Sequence, residues 1–264
     1  MGYEQLIVDV EADVAIVRMN NATRLNALSP TMTREMLEAL EKLRADEAIR
    51  AIVLTGEGRG FSAGADLSEF GEPYAKGERP QLSLFLKEGY NKLIPLLAEM
   101  PKPLIAAING VVAGAGISLA LACDLRIAGD GATFTTAWVK IGLVPDAGSS
   151  YLLPRTVGMP KAIELAMLSE RVDALSALGI GLVHRVVPHE SLMDEARGLA
   201  GQLARLPTVA LGLTRRLLEE ASHLSLSEAL DREAEVQDQA AATEDHIEGV
   251  LAFLDKRGPV FKGR

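Results

Sequence analysis

Two runs of tiny side chains and one aspartate are the residues of this sequence that could do chemistry. Phe61-Ser62-Ala63-Gly64-Ala65-Asp66 and Val112-Ala113-Gly114-Ala115-Gly116 each stand between a strand-like and a helix-like segment. Loops of this kind let a ligand reach the main chain. The first amides of a helix point outward unpaired, so two such loops facing one pocket could hold a developing oxyanion. The same composition also serves tight strand–helix packing or simple turns. Asp146, in Gly142-Leu143-Val144-Pro145-Asp146-Ala147-Gly148-Ser149-Ser150, reads either as the N-cap of the next helix or as the base of a site.

Other chemistries lack their residues. His184, His189, His223 and His246 are scattered, with no His-Glu-x-x-His pair. Cys123 is the single cysteine, so no metal site is expected and no intramolecular disulfide can form. There is no Gly-Lys-Ser/Thr for a phosphate loop, the glycines of 56–64 do not make Gly-x-Gly-x-x-Gly, and Gly-x-Ser-x-Gly is absent. With 27 Lys plus Arg against 36 Asp plus Glu the formal net charge is −9, and no basic stripe runs along the chain. Nucleic acid, which needs clustered cations, is not an expected partner.

The elements that must position these residues follow from patterning. At 264 residues, 48% hydrophobic and 24% charged, the chain suits one large domain or a domain with an appendage. Leu6 to Met19 alternates as a hairpin turned near Ala12-Asp13. Ser29-Pro30 opens a helix to about Ala45, with Ser29 as N-cap. Ala51 to Thr55, Leu104 to Ile108 and Leu125 to Ala128 read as strands, with a helix from about Gly116 to Ala122 before the last. Phe70 to Arg79, polar and rich in Gly and Pro, reads as a mobile excursion, and one helix follows from about Leu82 to Glu99. This alternation implies a layered α/β body over residues 1–190. Residues 191–264 read as helix only, and their apolar faces suit packing across another subunit.

Leu104 to Cys123 has the ~20-residue length of a membrane span. Pro101 and Pro103, the Asn109-Gly110 turn and Gly114 and Gly116 divide it into a strand and a helix, so no membrane association is expected. Met1 to Glu11 carries acidic residues and no basic segment before an apolar run, which reads as cytoplasmic.

Phe61-Ser62-Ala63-Gly64-Ala65-Asp66-Leu67, the run from Pro101 to Gly110, Gly114-Ala115-Gly116 and Gly142-Leu143-Val144-Pro145-Asp146 together resemble the crotonase, or enoyl-CoA hydratase/isomerase, superfamily. The resemblance runs from Arg24-Leu25-Asn26-Ala27-Leu28 to Phe253-Leu254-Asp255-Lys256-Arg257. It implies an α/β fold, a crotonase-like spiral of ββα units with a helical C-terminal trimerisation region, assembled as a homotrimer or a dimer of trimers. It implies an acyl-CoA thioester as substrate and no cofactor beyond that coenzyme A. By the same resemblance the amides of Ala65 and Ala115 hold the thioester oxygen. Arg24, the main chain around Ala63 and Asp66 in the same motif belong to the coenzyme A site, Trp138 walls the acyl pocket, and Phe253 and Lys256 reach in from a neighbouring subunit.

Hydratases of the superfamily place two glutamates where this sequence has Ser118 and Trp138. Water addition needs groups to activate the water and manage its proton, and neither residue is a carboxylate. Asp146 stands in the Leu-x-Pro-Asp context of the superfamily's isomerases, closest to the epoxyphenylacetyl-CoA isomerases of phenylacetate catabolism. An acyl-CoA isomerase with Asp146 as sole base is therefore expected. Three alternatives stay open: a hydratase with atypical residues, a non-catalytic acyl-CoA binder, and a hydrolase like the 4-chlorobenzoyl-CoA dehalogenases. Those dehalogenases also place an aspartate eight residues after a tryptophan, but use a histidine that the stretch from Leu82 to Glu99 lacks.

Overall fold

A computed structural model of the chain describes residues 2–264. Strands β1 (Leu6–Glu11) and β2 (Val14–Met19) form the expected hairpin, turned at Ala12 in the left-handed region. Helix α1 (Pro30–Ala45) follows, its N-terminus closed by the Ser29 side chain, which accepts from the Met32 amide. Then come β3 (Ala51–Gly56), β4 (Gly60–Ser62), α2 (Ser68–Ala75), α3 (Leu82–Glu88), α4 (Tyr90–Ala98), β5 (Leu104–Ile108), β6 (Val111–Ala113) and α5 (Ala115–Leu121). The body continues through β7 (Leu125–Gly129), β8 (Thr133–Thr135), α6 (Ser149–Val157), α7 (Met159–Leu168), β9 (Val172–Asp173), α8 (Ala174–Gly179) and β10 (Arg185–Val187). Helices α9 (Leu192–Ala204), α10 (Thr208–Ala221), α11 (Leu226–Ala241) and α12 (Glu244–Leu254) complete the chain.

The strands make two sheets. One has six in the order β1-β2-β3-β5-β7-β10, parallel except for the first hairpin. The other has four in the order β4-β6-β8-β9. Residues of β3 and β5 are buried throughout, as continuous apolar runs on a parallel sheet covered on both faces must be. On one face lie α1 and α4, through Met32, Met36, Leu40 and Leu93; on the other Ala196, Ala200 and Ala204 of α9 pack against Ile16, Val53 and Ile105. Small residues four apart let α9 approach the sheet closely.

Three local expectations are corrected. The helix expected over Leu82 to Glu99 is two helices, because Gly89 turns at φ −110° and ψ −89° and has only 3.2 Å from an added Cβ to the Phe85 carbonyl oxygen. Part of the expected excursion is helix α2, despite Pro73 within it. Phe70 meets Phe85 edge-on at 5.5 Å between ring centres, a tertiary contact that local polarity does not foretell. Asp146 is not an N-cap: Gly148 occupies that position of α6.

Candidate active site

The two small-residue loops leave neighbouring parallel strands, β4 and β6, paired as Gly60 with Val111 and Ser62 with Val112. Their main chains touch. A Cβ on Gly64, which has φ +85°, would lie 2.6 Å from the Ala113 carbonyl oxygen and 3.1 Å from the Ala115 nitrogen. On the opposite side a Cβ on Gly116 would lie 2.4 Å from the Ser62 carbonyl oxygen. Only glycine fits at either position, and the result sets the peptide entering Ala65 beside the one entering Ala115.

Around these amides nearly every donor is occupied. The Ala63 amide donates to Leu25 O at 2.8 Å, that of Gly64 to the Ser62 hydroxyl at 3.3 Å and that of Asp66 to Leu28 O at 3.5 Å. The Gly114 amide donates to Thr135 O at 3.1 Å. Among the described residues the amides of Ala65 and Ala115 donate to nothing. Buried main-chain donors are almost always paired, so two unpaired ones side by side are suited to an oxygen that arrives with a ligand.

Asp146 stands over α5. Ser118, one turn beyond Ala115 and fully buried, donates its hydroxyl to Asp146 O at 3.4 Å. That carbonyl also accepts from the Ser149 hydroxyl at 2.6 Å and amide at 2.8 Å, which fixes the turn before α6. The Trp138 indole donates to Oδ1 of Asp146 at 2.7 Å. Ser118 and Trp138 thus both bond to Asp146, the first to its main chain and the second to its carboxylate. Burial raises its carboxyl above the usual carboxylate range, opposed by the indole hydrogen bond.

Arg24 and Asp66 are also brought together: Nη1 of Arg24 lies 2.7 and 3.0 Å from the two carboxylate oxygens, and also donates to the Ser68 hydroxyl. Burial works to raise the Asp66 carboxyl, but hydrogen bonds from Ser68 and Arg24 outweigh it and hold it below the usual range. Ala63 adjoins this pair on the same loop. Phe253 and Lys256 are not brought in; Phe253 is 83% exposed at the end of α12, and among the described residues neither bonds to Arg24, Ala63 or Asp66.

Sequence reasoning missed Tyr90. Its buried hydroxyl donates to Leu28 O at 3.3 Å, and Leu28 is bridged to Ala65, so this phenol braces the first loop. Burial, then the charges of Asp146 and Asp66, push it up, and it stays protonated. The only signal in the sequence was an aromatic in the middle of the helix expected over Leu82 to Glu99. Asn26 and Asn109 were likewise unassigned; both donate to Gly60 O and hold the turn that leads into β4.

A cavity of about 800 Å³ lies elsewhere, between α10 and the C-terminal segment, and none of Ala65, Ala115 and Asp146 lines it. Among the described residues no group of three or more His, Cys, Asp or Glu is placed to hold a metal ion, and no helix is long and apolar enough to cross a membrane.

A crotonase-type spiral carrying two convergent free amides defines the class. The chain belongs to the enoyl-CoA hydratase/isomerase family, whose profile matches residues 9–264. It is 41% identical over 262 residues to the 1,2-epoxyphenylacetyl-CoA isomerase of Escherichia coli K12, covering 99% of each chain. A 4-chlorobenzoyl coenzyme A dehalogenase of an Arthrobacter species is 39% identical over 84% of this chain and 80% of its own. The crystal structure of an enoyl-CoA hydratase from Polaromonas sp. JS666 superposes with a TM-score of 0.90 at 35% identity, over 97% of this chain and 99% of that one. Relatives named for three different reactions are similarly close, so family membership makes this an acyl-CoA enzyme without choosing among them.

Proposed function

We propose that the protein is an acyl-CoA isomerase in which the Ala65 and Ala115 amides bind the thioester oxygen and Asp146 is the only base. The observation that carries this reading is the partly buried Asp146 carboxylate, oriented by Trp138 beside the helix that begins at Ala115, with no second carboxylate at Ser118 or Trp138. For a 3-enoyl thioester, Asp146 removes an α proton and the C–H electron pair moves into the enolate, placing negative charge on the thioester oxygen. The neutral carboxyl then returns the proton to the γ carbon as the enolate electrons shift back, so the β,γ double bond becomes α,β and no proton is gained or lost. Each amide donor is worth ~2.7–4 kcal/mol to such a charge. Isomerisation of a ring epoxide on an arylacetyl-CoA uses the same polarised thioester.

Arg24, held by Asp66, and the main chain at Ala63 are assigned to coenzyme A. Phe253 and Lys256 would reach the coenzyme from a neighbouring protomer of a homotrimer or dimer of trimers. The exposed apolar side chains Leu218, Leu226, Phe253 and Leu254 of the C-terminal helices support such an assembly. No cofactor beyond coenzyme A is called for. The lone buried Cys123 suits the reducing cytoplasm, where we place the enzyme.

Incubation with a 3-enoyl-CoA, followed by absorbance of the conjugated thioester, tests the assignment. Turnover in the wild type, lost in Asp146→Asn, is expected; equal rates in both would overturn it. Tight binding without turnover of any acyl-CoA would make the chain a binder, and crotonyl-CoA hydration with solvent oxygen in the product would make it a hydratase. One second reading has its own support in the Trp138–Asp146 hydrogen bond: Asp146 attacks a halogenated aryl carbon, a C–O bond forms as halide leaves, and water cleaves the ester. Single turnover of 4-chlorobenzoyl-CoA in ¹⁸O-water would then label the Asp146 carboxylate.

A further inference from the structure

The two helices whose first residues meet the site, α4 with Tyr90 and α5 with Ala115, end on a single guanidinium. Arg215 of α10 donates from Nη1 to the carbonyl oxygens of Leu97 at 3.2 Å and Met100 at 3.3 Å, and from Nη2 to that of Ala122 at 3.3 Å. Leu97 lies in the last turn of α4, and Ala122 is the C-cap of α5. Nε of Arg215 is 2.8 Å from Oδ1 of Asp124, with the arginine side chain 16% exposed. The other Asp124 oxygen accepts from the Leu104 amide at 2.7 Å, at the start of β5. One side chain therefore joins the ends of two helices, the start of a central strand and the C-terminal region.

The rest of α10 is loosely seated. Thr208 is its only buried residue, and clefts of about 800 and 630 Å³ run along it. Close contact is made one turn before Arg215, where a Cβ on Gly212 would lie 2.5 Å from the Pro101 carbonyl oxygen, in the link from α4 to β5. Gly212 sets the distance and Arg215 makes the bonds.

Helix α5 has seven residues, a rod of roughly 10 Å at about 1.5 Å per residue. Moving its C-terminal end moves the Ala115 amide with it, and a main-chain donor has no rotamer with which to recover its aim. Positioned groups tolerate little error, since a misplacement of about 1 Å can cost on the order of 100-fold in rate. We infer that Arg215 is a positioning residue for the oxyanion donors, coupling the docking of α10 to the alignment of α4 and α5. The inference rests on the isomerase reading of Ala65 and Ala115 and extends that site to the C-terminal helices.

The test uses full-length protein and cinnamoyl-CoA, whose absorption moves to the red when its carbonyl is polarised. A red shift with the wild type is expected; its absence would defeat the oxyanion reading itself. Arg215→Gln should retain KM within about threefold but lose at least about tenfold in kcat on a 3-enoyl-CoA, together with most of the red shift. Arg215→Lys keeps the charge without the planar fork and should recover only part of both. Arg216→Gln, which alters an exposed pair with Glu220 on the same helix, should match the wild type. A folded Arg215→Gln protein with wild-type kcat and red shift would overturn the inference. Should that variant fail to fold, unchanged kcat and red shift in Arg215→Lys would overturn it equally.

Discussion

The Trp138 indole N–H and Asp146 Oδ1, eight residues apart, share a 2.7 Å hydrogen bond. One oxygen of the carboxylate is thereby committed to the indole, and no other side chain among the described residues bonds to Oδ2. An acceptor held on one side and open on the other is an oriented base. Trp138 therefore acts on the carboxylate itself.

Asp146→Asn preserves shape and the indole contact but cannot accept a proton. We expect kcat for double-bond migration to fall by about 10²–10⁴, the range for losing a general base, with KM little changed. Stability should move the other way. A carboxyl whose native pKa is raised favours the folded state fully below its unfolded pKa, and that contribution is lost as pH rises through the native value. At neutral pH the neutral amide should therefore melt higher than the wild type, as thermal unfolding followed by circular dichroism will show.

Acid should inactivate at a higher pH than an ordinary aspartate dictates. Activity needs the carboxylate, so kcat/KM falls as pH drops through the raised Asp146 value. Trp138→Phe removes a hydrogen bond that favours the charged form, and its acid limb should lie higher still. Superimposable profiles for the two proteins would remove Trp138 from any orienting role.

Gly64→Ala forces a side chain into a left-handed position and against the Ala113 carbonyl. The backbone term alone costs about 1–2 kcal/mol. Displacement of the Ala65 amide should lower kcat by about 10²–10³, the loss typical of one oxyanion donor. Kinetics on folded protein, with chemical denaturation in parallel, separates the two effects.

Arg24→Gln should raise KM for acyl-CoA several-fold with kcat nearly unchanged, because its ion pair with Asp66 borders the loop rather than the free amides. The matching acyl-pantetheine, which lacks the nucleotide phosphates, should be used equally well by both proteins. A comparable KM increase for that truncated thioester would place Arg24 elsewhere than on the coenzyme.

What the sequence disclosed and what it hid divide along a physical line. The two loops were readable because main-chain chemistry demands small residues, which leave a compositional trace at Gly64, Ala65, Gly114 and Ala115. Ser29-Pro30 marked the start of α1 because capping is local. Tyr90 and the orienting role of Trp138 depend on partners 62 and eight residues away, and no local pattern records such bonds. Helix α2 was hidden for the same reason, since its support is the contact of Phe70 with Phe85 while Gly71 and Pro73 locally disfavour a helix. Asp146 has the composition of a cap, and only the turn built by Ser149 and Gly148 releases its side chain for other work.

The contact of Gly64 with Ala113 divides the labour of this scaffold in a way that bears on its history. Under the proposed function, electrophile activation falls to peptide groups, which mutation of a side chain cannot delete. Proton traffic falls to the exchangeable side chain at 146, with two more exchangeable side chains, at 118 and 138, bonded to that residue. A lineage can rewrite the second without rebuilding the first, so new reactions on this frame require few substitutions and begin from a thioester that is already polarised.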